Sequence, residues 1–71
     1  MNKINLTFPE ILQKIMIEKS LNQVQLAQLL NIKQSQISEW LKGKSKPGYD
    51  NIKLICETLN ISADRILGLD R

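Results

Sequence analysis

Between Gln23 and Lys42 the chain carries two short amphipathic segments with only Asn31 and Ile32 to turn one into the other. Two helices joined so tightly cross steeply, need a small residue where they approach most closely, and must reverse direction at once. Ala27 supplies the small residue. Asn31 suits the reversal, because asparagine tolerates the left-handed conformation better than any residue but glycine. Leu26, Leu30, Ile37 and Trp40 fall at helical spacing and anchor the pair to a body, with Ile32 pinning the turn.

That body is read from start and stop signals on either side. Thr7 with Glu10 three residues on forms a capping box, and Pro9 falls in the first turn, where no amide partner is lost. Phe8, Ile11, Leu12 and Ile15 then make an apolar stripe on a first helix running to about Lys19. Asn22, with Gln25 as its partner, caps the second helix. A third runs from about Gln34 to Lys42, stopped by Gly43 and Pro47. A fourth spans about Tyr49 to Leu59, with Ile52, Ile55, Cys56 and Leu59 inward and Asn60 as terminator. Ser62 caps a short fifth helix, with Asp64 in its first turn and Gly68 at its end. No segment shows the alternation of a strand bounded by hairpin turns. The expectation is one all-α domain, residues 1–71 with an ordered core of about 7–69, built as a compact five-helix bundle.

At 42% hydrophobic, the 71 residues suffice for one small core. No apolar run is long enough to span a bilayer, and the first residues, Met1 to Asn5, lack the apolar region of a secretory leader. A lone cysteine, Cys56, forms no internal disulfide and suits a reducing cytoplasm. Histidine is absent, so neither a zinc site nor a histidine-based nucleophile relay can be assembled. Enzymatic activity, metals, cofactors and small-molecule ligands are not expected.

The net charge of +3 is unevenly placed. Lys33, Lys42, Lys44 and Lys46 stand against Glu39 alone between Asn22 and Tyr49, while basic and acidic residues balance elsewhere. Such a stretch is either a lysine-rich solvated surface or the footprint of a polyanion-binding face. The third helix tips the balance. At about 100° per residue, Ile37, Trp40 and Leu41 share one arc, and Gln34, Ser35, Ser38, Glu39 and Lys42 share the opposite one. A merely solvated face would favour Glu–Lys pairs. This one offers amide, hydroxyl and carboxylate groups, which are able to address base edges.

Gln23-x-x-Leu26-Ala27, the Asn31-Ile32 turn, Ile37-Ser38-x-Trp40, Gly43-Lys44, Pro47 and Leu59-Asn60-Ile61-Ser62 together resemble the lambda-repressor-like, Cro-type (XRE-like) helix-turn-helix family. The resemblance extends from about Pro9 to Leu69. It implies the five-helix fold, with the helix-turn-helix formed by helices 2 and 3, and a third helix in the major groove of double-stranded DNA. On that basis Gln34, Ser35, Ser38 and Glu39 face base edges. Gln23 meets a phosphate at the start of the second helix, and Lys42, Lys44 and Lys46 follow the backbone beyond the third. Three positions depart from the family pattern. Asn31 replaces the usual glycine. Lys33 replaces a serine or threonine cap, so either that helix start is weaker or the lysine reaches a phosphate. Leu41 replaces a polar residue and either packs inward or widens an exposed patch.

Trp40 has the phase of Ile37 and is read as a core anchor rather than a base-stacking ring. Cys56 is read as a small core residue rather than a redox sensor. Tyr49 either packs at its helix start or touches the DNA backbone. The resulting expectation is a cytoplasmic regulator of transcription, a repressor, binding a near-palindromic operator as a homodimer through helices 4 and 5 and the tail Leu69 to Arg71. Either its own concentration regulates it, or it is the front part of a longer protein. The rival is an antitoxin or adaptor whose main partner is another protein, served by an exposed patch around Leu29 and Leu41.

Overall fold

In the computed structural model, residues 6–69 are described. The leader reading of Met1 to Asn5, and Asp70 and Arg71 of the tail assigned to a dimer contact, lie outside the described residues. Five helices follow in order: α1 Phe8–Glu18, α2 Gln23–Leu30, α3 Gln34–Leu41, α4 Tyr49–Leu59 and α5 Ala63–Ile66. No strand occurs among the described residues. The bundle is the one the helix signals predict, with boundaries shifted by at most a residue.

The starts of α1, α2 and α5 are set by side chains. The Thr7 amide and hydroxyl both donate to Glu10 Oε1, at 2.9 and 3.0 Å. Asn22 and Gln25 close a reciprocal box, with the Gln25 amide donating to Asn22 Oδ1 at 2.7 Å and the Asn22 amide to Gln25 Oε1 at 2.9 Å. The Ser62 hydroxyl oxygen accepts from the Arg65 amide at 3.2 Å. Apart from the Thr7 hydroxyl bond, each satisfies a first-turn amide, or the amide just before it, that the helix itself leaves open.

The ends share one backbone device. A residue with positive φ follows each helix: Ser20 (57°), Asn31 (56°), Gly43 (75°), Asn60 (56°) and Gly68 (76°). In every case the next amide reaches back five residues: Leu21 to Met16, Ile32 to Ala27, Lys44 to Glu39, Ile61 to Cys56 and Leu69 to Asp64. This six-to-one bond is the Schellman closure. Leu21, Ile32 and Ile61, the residues that donate it after α1, α2 and α4, also pack against the core. Three connectors therefore repeat one plan, a left-handed residue, an apolar pin and a cap: Ser20-Leu21-Asn22, Asn31-Ile32-Lys33 and Asn60-Ile61-Ser62.

The core gathers Ile11, Leu12, Ile15 and Met16 of α1, Leu26, Ala27 and Leu30 of α2, Ile37 and Trp40 of α3, Ile55 and Leu59 of α4, and Ile66 of α5. Here α3 packs on both α1 and α2, while α5 packs on α1 and α4. Trp40 is only 1% exposed and meets the Phe8 ring edge-on, at 6.0 Å between centroids and 84° between planes. Such a pair adds about 0.5–1.5 kcal/mol to the area buried. Trp40 is thus the anchor the helical phase predicts. Cys56 is half-buried against the core, and burial, helped by the Glu57 charge, raises its pKa. A raised pKa disfavours the reactive thiolate, which suits a packing role. Met16 and Ile66 are sealed as well, although neither belongs to the stripes named from sequence. Phe8, Ile52 and Cys56 are half-buried rather than sealed.

Two carboxylates link this packing to pH. The Thr7 amide, then its hydroxyl, hold the Glu10 pKa below its usual value. The Arg65 guanidinium, bonded from α5 to Glu18 at the end of α1, does the same for Glu18. A depressed folded pKa contributes stability above the unfolded value, and that stability is lost as pH falls through the folded value. Melting temperature should therefore decline on the acid side of about pH 4.5. Glu10→Gln and Glu18→Gln should each start from a lower plateau and decline less steeply; acid limbs parallel to wild type would exclude this coupling.

Candidate nucleic-acid interface

The candidate face is set by how α3 is rotated. Because Ile37 and Trp40 are sealed, Gln34, Ser35 and Glu39 stand in solvent and Ser38 is half-exposed. Leu41 is half-buried and packs against the core, which resolves its two alternatives inward. Tyr49 is 78% exposed, so it does not pack at its helix start.

Lys33, Ser35 and Glu39 come together with Ile32, Gln36 and Asn51 around a cleft of about 260 Å³ between the first turns of α3 and α4. Asn51 was not singled out from sequence. It lies just inside the α4 start, three residues after the N-cap Gly48, and only the packing of the helices brings it to the same cleft as Lys33. Lys42 is exposed at the α3 C-cap, and Lys44 is exposed just beyond it. Lys46 is set apart. It borders a separate groove of about 710 Å³ whose floor includes Phe8, Pro9, Pro47, Ile52, Ile66 and Leu67. Gln23 is half-buried as the first residue of α2, next to the Asn22 cap.

Two departures from the local rules coincide with this face. After α3 the closure is made by Gly43 and Lys44, so an exposed cation occupies the place where Leu21, Ile32 and Ile61 pin their connectors. At the other end of α3, Lys33 occupies the cap position with no side-chain hydrogen bond, whereas Asn22 and Ser62 cap theirs. The Gln36 amide instead bonds the Lys33 carbonyl at 3.0 Å, tightening the first turn. A lysine here opposes the positive end of the helix dipole. An approaching anion would meet the first-turn amides of Gln34 and Ser35 and an ammonium group at the same helix end.

One further bond was not foreseen. Gln36 Nε2 donates to Ser45 Oγ at 3.2 Å, tying α3 to the loop that follows it. Both residues look like solvated polar positions when read along the chain.

Two short helices joined by a three-residue turn, supported by three more and presenting the polar edge of the second, define a helix-turn-helix bundle. The chain belongs to the helix-turn-helix family, whose model matches residues 12–66. The HTH-type transcriptional activator BcrR of Enterococcus faecalis is 35% identical over 60 residues, 84% of this chain. The chain spans only 29% of the length of that relative. No solved structure matches it.

Replacing Lys33 should separate stability from function. Lys33→Thr restores a cap and should stabilise the fold by about 0.5–2 kcal/mol, read as a higher melting temperature, while weakening binding to any duplex. Unchanged stability would mean that the cap position is already satisfied.

Proposed function

We propose that the chain is a sequence-specific, double-stranded-DNA-binding regulator of transcription that lays α3 in the major groove and represses. The observation that supports it most is the two-sidedness of α3: Ile37 and Trp40 are sealed, and Gln34, Ser35 and Glu39 are left in solvent. Gln34 can bond adenine N6 and N7 bidentately, Glu39 can accept from cytosine N4, and Ser35 and Ser38 can donate or accept. Gln23, Lys33, Lys42, Lys44 and Lys46 serve the phosphates, which give affinity and register but carry no base information. Among the described residues no helix is long and apolar enough to cross a membrane. The place of action follows from the substrate: the cytoplasm, where bacterial DNA lies.

Repression needs only occupancy of a promoter-proximal site, whereas activation requires an added contact with the transcription machinery. The Enterococcus faecalis relative is described as an activator, but it is far longer than the stretch it shares. The rival adaptor reading relies on an apolar patch around Leu29 and Leu41. Leu29 is 52% exposed, but Leu41 packs against the core, so half of that patch is turned inward.

A single α3 touches four or five base pairs at most, too few to single out one site among millions. Two copies related by a two-fold axis would double the reading length, with helices entering successive major grooves about 34 Å apart. Leu67 and Leu69, 54% and 62% exposed, offer apolar area at the end where such a contact is expected. Selection from random duplex DNA should enrich a near-palindrome with half-sites about one turn apart. One copy protecting an unrepeated half-site at full affinity would exclude the dimer.

Reading and positioning should separate by mutation. Gln34→Ala should cost about 1–3 kcal/mol at the selected site and relax one base pair. Lys44→Ala should weaken all duplexes alike and flatten the salt dependence, which for Lys42, Lys44 and Lys46 of both subunits starts near a slope of about −5, and steeper with Lys33. If the two variants exchange these behaviours, α3 lies on DNA in another orientation.

A further inference from the structure

We infer that Gln36 is a positioning residue, whose bond to Ser45 fixes where the basic loop after α3 stands relative to the base-reading edge. The inference rests on the DNA-binding reading above and concerns a residue outside its contact set. Gln36 is the half-buried member of α3 at the border between the sealed arc of Ile37 and Trp40 and the open arc of Ser35 and Glu39. Although Gln36 borders the cleft shared with Asn51, its side-chain amide nitrogen is already bonded. It is engaged by the Ser45 hydroxyl nine residues on, in a partly buried bond.

That bond completes a clamp around Lys44. On one side Gly43 turns left-handed and the Lys44 amide reaches back to the Glu39 carbonyl at 2.9 Å. On the other side Ser45 is held by Gln36. Pro47 then follows, which has no amide to donate and a fixed φ. The backbone carrying Lys44 is therefore tied to α3 immediately before and immediately after its side chain. A lysine on a free loop would have to be ordered when a phosphate binds, and that ordering subtracts from affinity. Held this way, the Lys44 backbone is placed in advance at a set offset from Gln34 and Glu39, and only the exposed side chain is left to be ordered.

Gln36 thus differs in kind from its neighbours on α3. Gln34 would be judged by which base it prefers, whereas Gln36 would be judged by whether phosphate contacts keep register. Ser45 must act with it as one unit, and a hydroxyl at that position is the whole requirement.

The test measures binding of wild type, Gln36→Ala, Ser45→Ala, the double variant and Ser45→Thr to a duplex selected by the wild-type chain, across a salt series, with melting curves of each free protein. Each alanine variant should bind about three- to tenfold more weakly per subunit, the scale of one lost hydrogen bond. The double variant should be no weaker than either single one. The ranking of base-pair variants should be unchanged. The slope of log affinity against log salt should become shallower by up to about one per subunit. Ser45→Thr should restore both affinity and slope.

A relaxed preference at one base pair in Gln36→Ala alone would make Gln36 a reader and overturn the inference. So would additive losses in the double variant, wild-type binding by both single variants, or a lowered melting temperature with an unchanged salt slope. A wild-type chain that selects no duplex removes the DNA-binding reading itself, a result told apart by arising before any variant is made.

Discussion

A helix of eight residues does not persist in water, where isolated helices shorter than about 12–15 residues are marginal. Both α2 and α3 have eight residues, and α5 has four. Each therefore exists only because it is pressed against the others: α3 buries Ile37 and Trp40 and packs on α1 and α2, and α5 buries Ile66 and packs on α1 and α4. The rotation of α3 about its own axis is thereby a core property. Phe8, edge-on to Trp40, helps hold that rotation from the far end of α1. Loosening the indole would disturb what the outer face presents before it touched any outer residue.

The two ends of α3 show where local stability and the proposed task pull apart. Asn22 and Ser62 obey the capping rule, and Lys33 does not. Leu21, Ile32 and Ile61 pin their turns, while Lys44 stands in solvent. Both exceptions place a cation where a good folder would place a cap or an apolar side chain, and both flank the same helix. They are not the chain's only departures, since Gly48 starts α4 without a side-chain cap and Leu69 stands exposed after α5, but they are the two that put a lysine in that place.

The helices were legible because their punctuation is local: Thr7 with Glu10, Asn22 with Gln25, Asn31, Gly43, Asn60 and Gly68 each act within a few residues. What escaped depends on distant partners. Met16 adjoins Ile15 at the margin of the α1 stripe, and the width of a stripe is decided by which helices cover it. Ile66 is sealed by the return of a four-residue helix that shows no periodicity of its own. Ser20 carries no preference for a left-handed backbone; the Leu21 bond to Met16 accompanies that conformation there. Gln36 and Ser45 are ordinary polar residues until the Gly43 turn brings them together. For the candidate site, the outer arc of α3 followed from its periodicity, but the sharing of one cleft by Asn51 and Lys33 and the placing of Lys46 at another groove are matters of tertiary placement.

The threefold use of a left-handed residue, an apolar pin and a cap makes the connector a fixed gauge. Its length is locked at one end by an amide reaching back five residues and at the other by the first turn of the next helix. One residue more between Asn31 and Lys33 would turn everything after it by about 100° about the helix axis, or else break the closure. In the first case Trp40 would leave its seat and the polar edge would sweep toward the core. The turn therefore admits changes of residue but not of length, and on the reading proposed above new binding preferences would be written by substitution on the outer arc of α3.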